Sequence, residues 1–175
     1  MRLFYHGSAS LREGRSGLPG HSYYVTTRIL PDRGYLTPEA RGIVLESLRF
    51  THGERWWQLL GFVVMPDHLH LAAKLGDIKG LSDIVASLKK WSARRVNALS
   101  SLHGNLWQEG YRETEIRGDA RLRRVLEYTV NNPVKAGLAR RPGEYRWCWV
   151  PGWYPAEALE QNPTGMGSGS GEPSH

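Results

Sequence analysis

The sequence predicts an α+β fold in which helices pack against one antiparallel sheet. Strand-like and helix-like patterns follow one another in the order strand, helix, two strands, helix, strand, helix. The two neighbouring strand-like runs are joined at Pro66 and Asp67, a turn-forming pair that indicates an antiparallel hairpin. This order of elements is typical of the α+β class.

The length of the chain favours one domain with its own core. The chain has 175 residues, of which 40% are hydrophobic, as expected of a globular protein. We expect a single domain over residues 1–161, with its core at about 20–150. Residues 162–175 are polar and rich in glycine, so we expect a disordered tail there.

Other features of the composition exclude several classes of protein. No apolar run approaches the roughly 20 residues that span a bilayer, and the first ten residues lack the pattern of a secretory signal. The single cysteine, Cys148, cannot form an intrachain disulfide or a thiolate zinc cluster. We therefore expect a cytoplasmic protein that does not bind membranes.

The first strand and the first helix each have clear local signals. The segment that begins at His21 is rich in aromatic and β-branched residues and ends at Pro31, which predicts a strand. Thr37 followed by Pro38 is typical of a helix start, and this helix should end near Gly53.

A long amphipathic helix is predicted to begin at Leu81 and to end near Gly104. Its apolar positions recur every three or four residues; they are Ile84, Val85, Leu88, Trp91, Leu99 and Leu102. A strand-like segment, "LWQEGYRETEIR", follows it. Gly118 and Asp119 then open the last helix, and its apolar stripe consists of Leu122, Val125, Leu126 and Thr129 or Val130.

The charge of the chain points to nucleic acid as a partner. The net charge is +6 and the pI is about 9.7, and 18 of the 23 basic residues are arginines. An arginine guanidinium can bind phosphate oxygens with two hydrogen bonds and can stack on bases. A basic surface without a specific function is the alternative that composition alone leaves open.

Two histidines stand one residue apart within the second strand of the predicted hairpin. Since side chains alternate across a strand, His68 and His70 lie on one face while Leu69 and Leu71 enter the core on the other. Two imidazoles at this spacing can hold one divalent metal ion. The alternative is that His68 caps the turn and His70 is a half-exposed strand residue, so a third ligand is needed.

The last helix offers a second group of polar residues. At about 100° per residue, Tyr128 and Asn132 lie only about 40° apart around the helix axis, and Arg121 and Arg124 lie on the same face. Two alternatives remain: Tyr128 could cover the edge of the core with its hydroxyl in water, and Asn132 could end the helix because Pro133 follows it.

Four stretches together carry a resemblance to a known family. In chain order they are "YYVTTR", "VVMPDHLHLAAKL", "LWQEGYRETEIR" and "LEYTVNNPVKAGL". They resemble the IS200-like single-tyrosine (HUH) transposases, and within these the REP-associated tyrosine transposases, over residues 20–149. The resemblance implies a ferredoxin-like (RRM-like) antiparallel sheet. It also implies a catalytic tyrosine, Tyr128, and the metal ligands His68, His70 and Asn132.

The resemblance further implies an activity. Members of this family are metal-dependent endonucleases and strand-transferases of single-stranded DNA, and they use Mg²⁺ or Mn²⁺. Tyrosine attacks a phosphodiester, so that the 5′ phosphate becomes linked to the phenol and a 3′ hydroxyl is released. Positive charge near a phenol favours its ionised form, and Arg121 and Arg124 are the expected source of that charge. Manganese suits two imidazoles and an amide comfortably.

The expected partner is hairpin DNA of the REP type, handled in DNA transposition or in the mobilisation of repeats. The resemblance favours a monomer over a homodimer, and a DNA partner implies association with the nucleoid. Seven basic residues are the predicted phosphate contacts, namely Arg28, Lys89, Lys90, Arg94, Arg117, Arg121 and Arg124. Four aromatic residues are candidates for stacking on unpaired bases, namely Tyr23, Tyr24, Trp107 and Tyr111. For any single tryptophan, such as Trp107, packing in the core is the favoured alternative.

Two other functions fit parts of the sequence. A catalytically silent protein on the same fold would bind hairpin DNA with a steep salt dependence and would not cleave it. A histidine metallohydrolase would activate a bound water and would not depend on Tyr128, but the sequence offers no clear acidic third ligand for its metal.

Overall fold

The computed structural model describes residues 17–153, within which every predicted helix and strand is found. The elements, in chain order, are β1 (Ser22–Arg28), α1 (Pro38–Gly53), β2 (Trp57–Val64), β3 (His68–Leu75), α2 (Leu81–Ser100), β4 (Arg112–Ile116), α3 (Asp119–Lys135) and β5 (Cys148–Trp149). A short 3₁₀ turn, Pro31–Arg33, follows β1. The predicted tail at residues 162–175 lies outside the described residues.

The five strands form one sheet in the order β4-β1-β3-β2-β5, and every neighbouring pair is antiparallel. The first four strands with α1 and α2 have the ferredoxin-like order, in which β3 lies between β1 and β2. The predicted α+β class and antiparallel sheet are thus confirmed. Among the described residues, no helix is both long and apolar enough to span a membrane.

The main core lies between one face of the sheet and helices α1 and α2. The alternating strand residues Leu69 and Leu71 are buried there, as are Val44 and Leu48 of α1. The cap of α1 also follows the prediction, because the Thr37 side chain accepts a hydrogen bond from the amide of Ala40 at 3.3 Å. The side chains of Leu69 and Leu71 therefore lie on the face of the sheet opposite to that of His68 and His70.

Helix α3 covers the opposite face of the sheet. Its residues Val125 and Val130 are buried, and Leu126 packs over Gly61 of β2. A Cβ atom at Gly61 would lie 2.7 Å from Leu126 Cδ2, so any larger residue would force the Leu126 side chain to shift. The packing of α3 against β2 and β3 brings its polar side toward the histidine-bearing end of the sheet.

Two local expectations are wrong. Helix α2 ends at Ser100 and not near Gly104, and its buried face continues through Ser92 and Val96. Leu99 is 53% exposed, and Trp91 and Leu102 are exposed as well. The reason is geometric, because Leu88, Ser92 and Val96 follow one another at intervals of one helical turn, and Trp91 lies beside that line.

The helix-ending alternative for Asn132 is also wrong, since α3 continues through Pro133 to Lys135. Proline lacks an amide donor, but in the last turn only one backbone hydrogen bond is lost. The amide of Leu138 donates to Pro133 O at 2.8 Å and helps to close that end of the helix.

Two of the proposed base-stacking residues belong to the core. Trp107 is buried and donates from Nε1 to Ser92 Oγ at 3.0 Å. Tyr23 is buried too, and its hydroxyl accepts a hydrogen bond from the amide of Leu18 at 2.8 Å. Neither ring can stack on a base without leaving the core.

Candidate active site

A cleft of about 540 Å³ lies between α3 and strands β1, β3 and β4. His68, His70, Tyr128 and Asn132 all line it. The two strand positions and the two helix positions, which are about sixty residues apart in the chain, therefore meet in one site. We refer to this space as the active-site cleft.

The two imidazoles lie side by side, with ring centroids 4.6 Å apart and planes at 81°. His68 Nδ1 donates to Asp67 Oδ1 at 2.5 Å. His70 Nδ1 shares a hydrogen bond with Thr26 Oγ1 at 2.8 Å, and Thr26 is its cross-strand partner on β1. Both rings are thus oriented through Nδ1, and no hydrogen bond within residues 17–153 engages either Nε2.

Burial keeps both rings uncharged. The side chain of His68 is 11% exposed, and burial lowers its pKa even though the hydrogen bond to Asp67 acts in the opposite direction. Burial, together with the nearby His68, lowers the pKa of His70 to about 3. A neutral imidazole whose Nδ1 donates a hydrogen bond carries its lone pair on Nε2, which is the form that binds a metal ion.

Tyr128 lies on the rim of the cleft and is 45% exposed. Its ring is 5.7 Å from that of His70, in an edge-to-face arrangement. Lys135 Nζ lies 5.3 Å from the centre of the same ring, a cation–π contact from the end of α3. The ring of Tyr128 is therefore held by contacts with His70 and Lys135, while nearly half of the residue stays exposed.

Tyr24 lies behind these residues. Its ring stacks on His70 with centroids 5.5 Å apart and an interplanar angle of 10°, and it meets Tyr128 edge to face at 6.4 Å. Burial raises the pKa of Tyr24, so its phenol stays neutral. Tyr24 is thus a packing partner of the site and is not free to stack on a base.

Asn132 lies one turn after Tyr128 and faces the same cleft. Its Nδ2 makes a long hydrogen bond, 3.4 Å, to the carbonyl of Tyr128, so its Oδ1 remains available to a ligand. The described part of the chain contains no group of three His, Cys, Asp or Glu side chains that could hold a metal ion. Asn132 stays the predicted third ligand beside His68 and His70, and two imidazoles with an amide oxygen would fit a divalent ion such as Mn²⁺.

Three of the seven predicted phosphate contacts, Arg28, Arg121 and Arg124, line this cleft. Arg28 is the cross-strand neighbour of His68, and its Nη1 donates to Asp67 Oδ2 at 2.9 Å. Arg112 of β4 lines the cleft as well and was not predicted. The cleft thus combines two neutral imidazoles with a set of guanidinium groups.

The other four predicted contacts lie elsewhere. Lys89, Lys90 and Arg94 line a different groove beside α2. The side chain of Arg117 is 84% exposed and donates to Glu115 from Nε and Nη2 at 2.9 and 2.7 Å. The role of these four residues in DNA binding stays a prediction.

Sequence reasoning missed three residues that shape the site. Asp67 could have been found, since it directly precedes the first histidine. Thr26 and Arg112 could not, because each reaches the cleft through strand pairing: Thr26 pairs with both His70 and Arg112. Strand register of this kind is set by packing over the whole sheet.

Comparisons with known proteins bear on the family and the fold. A family model described as "Transposase IS200 like" matches residues 21–132. A solved REP-associated tyrosine transposase, bound to a REP hairpin, is similar in structure with a TM-score of 0.65 and 20% identity, over 90% of this chain and 94% of that chain. This likeness shows the fold.

A second solved structure, described as a candidate transposase from Deinococcus radiodurans R1, has a TM-score of 0.48 and 24% identity. The likeness covers 64% of this chain and 91% of that chain. A comparison with curated proteins gave no match.

Proposed function

The chain belongs to the family of IS200-like transposases, and from this membership we propose that it is a metal-dependent endonuclease and strand-transferase of single-stranded DNA. The observation that carries the proposal is the meeting of Tyr128, His68, His70 and Asn132 in one cleft. The proposed nucleophile is the Tyr128 hydroxyl.

The chemistry is a transesterification. Tyr128 Oη forms a bond to the phosphorus while the bond from phosphorus to the 3′ oxygen breaks, leaving a 5′-phosphotyrosine. The phenol loses its proton, and the leaving 3′ oxygen takes one up. Because one phosphoester replaces another, the reverse reaction can join the 5′ phosphate to a different 3′ hydroxyl without an external energy source.

The residues of the cleft have different proposed roles. His68, His70 and Asn132 would hold Mn²⁺ or Mg²⁺, which when bound supplies Lewis-acid stabilisation of charge at the scissile phosphate. Asp67 and Thr26 orient the two imidazoles through Nδ1. Arg28, Arg121 and Arg124 supply positive charge for the phosphates on either side.

Hairpin DNA is the proposed substrate. The REP-associated transposase of similar fold is bound to a REP hairpin, and the net charge of +6 favours a polyanionic ligand. The cleft is open at Tyr128, so an unpaired strand next to a hairpin could reach the phenol. We propose DNA transposition or the mobilisation of repeats as the biological role.

The test is formation of a covalent adduct. The protein is incubated with hairpin DNA labelled at its 3′ end and with Mn²⁺, and the products are separated under denaturing conditions. We expect the wild type to give labelled protein and a 3′-hydroxyl fragment, and Tyr128→Phe to give neither. Tyr35→Phe is the matched control, because Tyr35 is 77% exposed and does not line the cleft.

The same experiment separates the competing functions. Hairpin binding without any adduct in the wild type would support the catalytically silent protein. Cleavage that persists in Tyr128→Phe would support the metallohydrolase and would refute the role of the phenol.

A further inference from the structure

A second groove, of about 520 Å³, lies between α2 and the chain from Gly104 to Tyr111. One face of α2, from Ser82 to Asn97, forms its long wall, a length of about 22 Å at 1.5 Å per residue. Small and basic residues share this face, among them Ala86, Lys89, Lys90, Ala93 and Arg94. We call this space the α2 groove.

The two walls of the α2 groove are tied together at both ends. Lys89 Nζ donates to the carbonyls of Gln108 and Gly110 at 2.6 and 2.7 Å. At the other end, Asn97 Nδ2 donates to the carbonyl of Gly104 at 2.7 Å. These bonds hold the 104–111 segment against the helix, so the groove is part of the folded protein and not a gap beside a free loop.

The charge of the α2 groove suits an anion. Of the described residues that line it, Lys89, Lys90 and Arg94 are cationic and Glu109 is acidic. Lys90 and Arg94 are exposed and make no ion pair with any residue in 17–153. They are separated by one helical turn, about 6 Å along the axis, so two successive phosphates of one strand can be contacted together.

The α2 groove and the active-site cleft lie on either side of one short segment of the chain. The segment from Gln108 to Tyr111 lines both spaces. At the junction, the hydroxyls of Tyr111 and Ser82 share a hydrogen bond at 2.9 Å, which fixes this segment against the start of α2. A strand that leaves the cleft and crosses Gln108–Tyr111 would therefore reach the α2 groove after about four residues of protein surface.

We propose that the α2 groove binds the phosphate backbone of an unpaired DNA strand that continues out of the active-site cleft. The proposal rests on the proposed function, because that function places DNA in the cleft. The ligand is a single strand, since the 104–111 segment covers one side of α2, whereas a helix that enters a duplex major groove stands free. The contacts are to phosphates, so the groove adds affinity without sequence preference.

The test measures binding of labelled oligothymidylates of increasing length by fluorescence anisotropy, at several salt concentrations. The variant Lys90→Ala/Arg94→Ala removes both unpaired cations. Arg123→Ala/Arg140→Ala removes the same charge from two exposed residues that line neither space. Lys90→Arg/Arg94→Lys keeps the charge, and thermal melting checks that each variant is folded.

We expect wild type and Lys90→Ala/Arg94→Ala to bind short strands equally. For strands longer than the cleft, only the wild type should gain affinity. The slope of the logarithm of the binding constant against the logarithm of the salt concentration should be smaller in magnitude for the variant by about 1.4, or about 0.7 for each lost phosphate contact. The charge-preserving variant should behave as wild type. The proposal would be overturned if Lys90→Ala/Arg94→Ala bound long strands with the same affinity and salt slope as the wild type. It would also be overturned if Arg123→Ala/Arg140→Ala lost as much affinity as Lys90→Ala/Arg94→Ala.

This result is separable from the outcome for the proposed function. Binding of oligothymidylate requires no cleavage, and the adduct assay with Tyr128→Phe requires no contact in the α2 groove. A protein that forms no adduct would refute the nuclease and could still show the length-dependent loss.

Discussion

Replacing Asp67 by asparagine tests whether the carboxylate prepares His68 to bind a metal ion. In the wild type, Asp67 Oδ1 accepts from His68 Nδ1 at 2.5 Å and Oδ2 accepts from Arg28 Nη1 at 2.9 Å. Burial by itself would raise the pKa of Asp67, but the hydrogen bond from His68 and the charge of Arg28 lower it, so the group is a carboxylate. It can only accept hydrogen bonds, and therefore fixes the Nδ1–H tautomer of His68.

The expected loss can be estimated from this contact. The substituted amide would carry no charge, and its NH₂ could donate to His68 Nδ1 and so favour the tautomer whose Nε2 is protonated. Loss of a partner that orients a metal-binding histidine typically lowers metal affinity by about 10- to 100-fold, or about 1.4 to 2.7 kcal/mol. The imidazole itself stays buried against His70, so we expect little change in fold.

Two measurements check this prediction. The ¹⁵N shifts of the His68 ring in the metal-free protein report the tautomer, and titration calorimetry with Mn²⁺ reports the affinity. Asp77→Asn is the control, because Asp77 is exposed and the same charge is lost. If Asp67→Asn kept the Nδ1–H tautomer and bound Mn²⁺ as tightly as the control, the orienting role of Asp67 would be refuted.

Two further predictions concern packing and the metal. Gly61→Ala places a Cβ atom 2.7 Å from Leu126 Cδ2 and 3.3 Å from Val150 Cγ2. It should lower the free energy of unfolding, measured in urea, by about 1–3 kcal/mol. The control Gly42→Ala in α1 places a Cβ atom that meets no atom within 4 Å, and it should raise the free energy of unfolding by up to about 1 kcal/mol. An equal change in the two variants would contradict the close packing of α3 on Gly61. Chelation with EDTA should abolish the Tyr128 adduct, and added Mn²⁺ should restore it. An adduct that survives complete chelation would exclude a metal requirement.

Much of the candidate site follows from local periodicity. A period of two places His68 and His70 on one face of β3, and a period of 3.6 places Tyr128 and Asn132 on one face of α3. The cap at Thr37 was predicted from an equally local signal, the threonine followed by Pro38. Each of these features depends on backbone geometry over a few residues, which the sequence specifies directly.

The surroundings of those residues did not follow from the sequence. Composition indicated which side chains are basic, but not that Arg28 and Arg124 lie in the active-site cleft while Arg94 lies in the α2 groove. For a single tryptophan the sequence favoured the core over a stacking surface, and Trp107 is indeed buried, but only the structure shows that Tyr23 is buried as well.

The sequence by itself determined the elements, their order and the face on which each polar pair lies, because helix and strand geometry repeat over short distances. The tertiary structure alone decided the register that sets Thr26 beside His70 and Arg28 beside His68. It also decided the contact of α3 with the sheet at Gly61, which brings Tyr128 to the histidines. These arrangements depend on the fit of side chains from distant parts of the chain, and no local pattern encodes that fit.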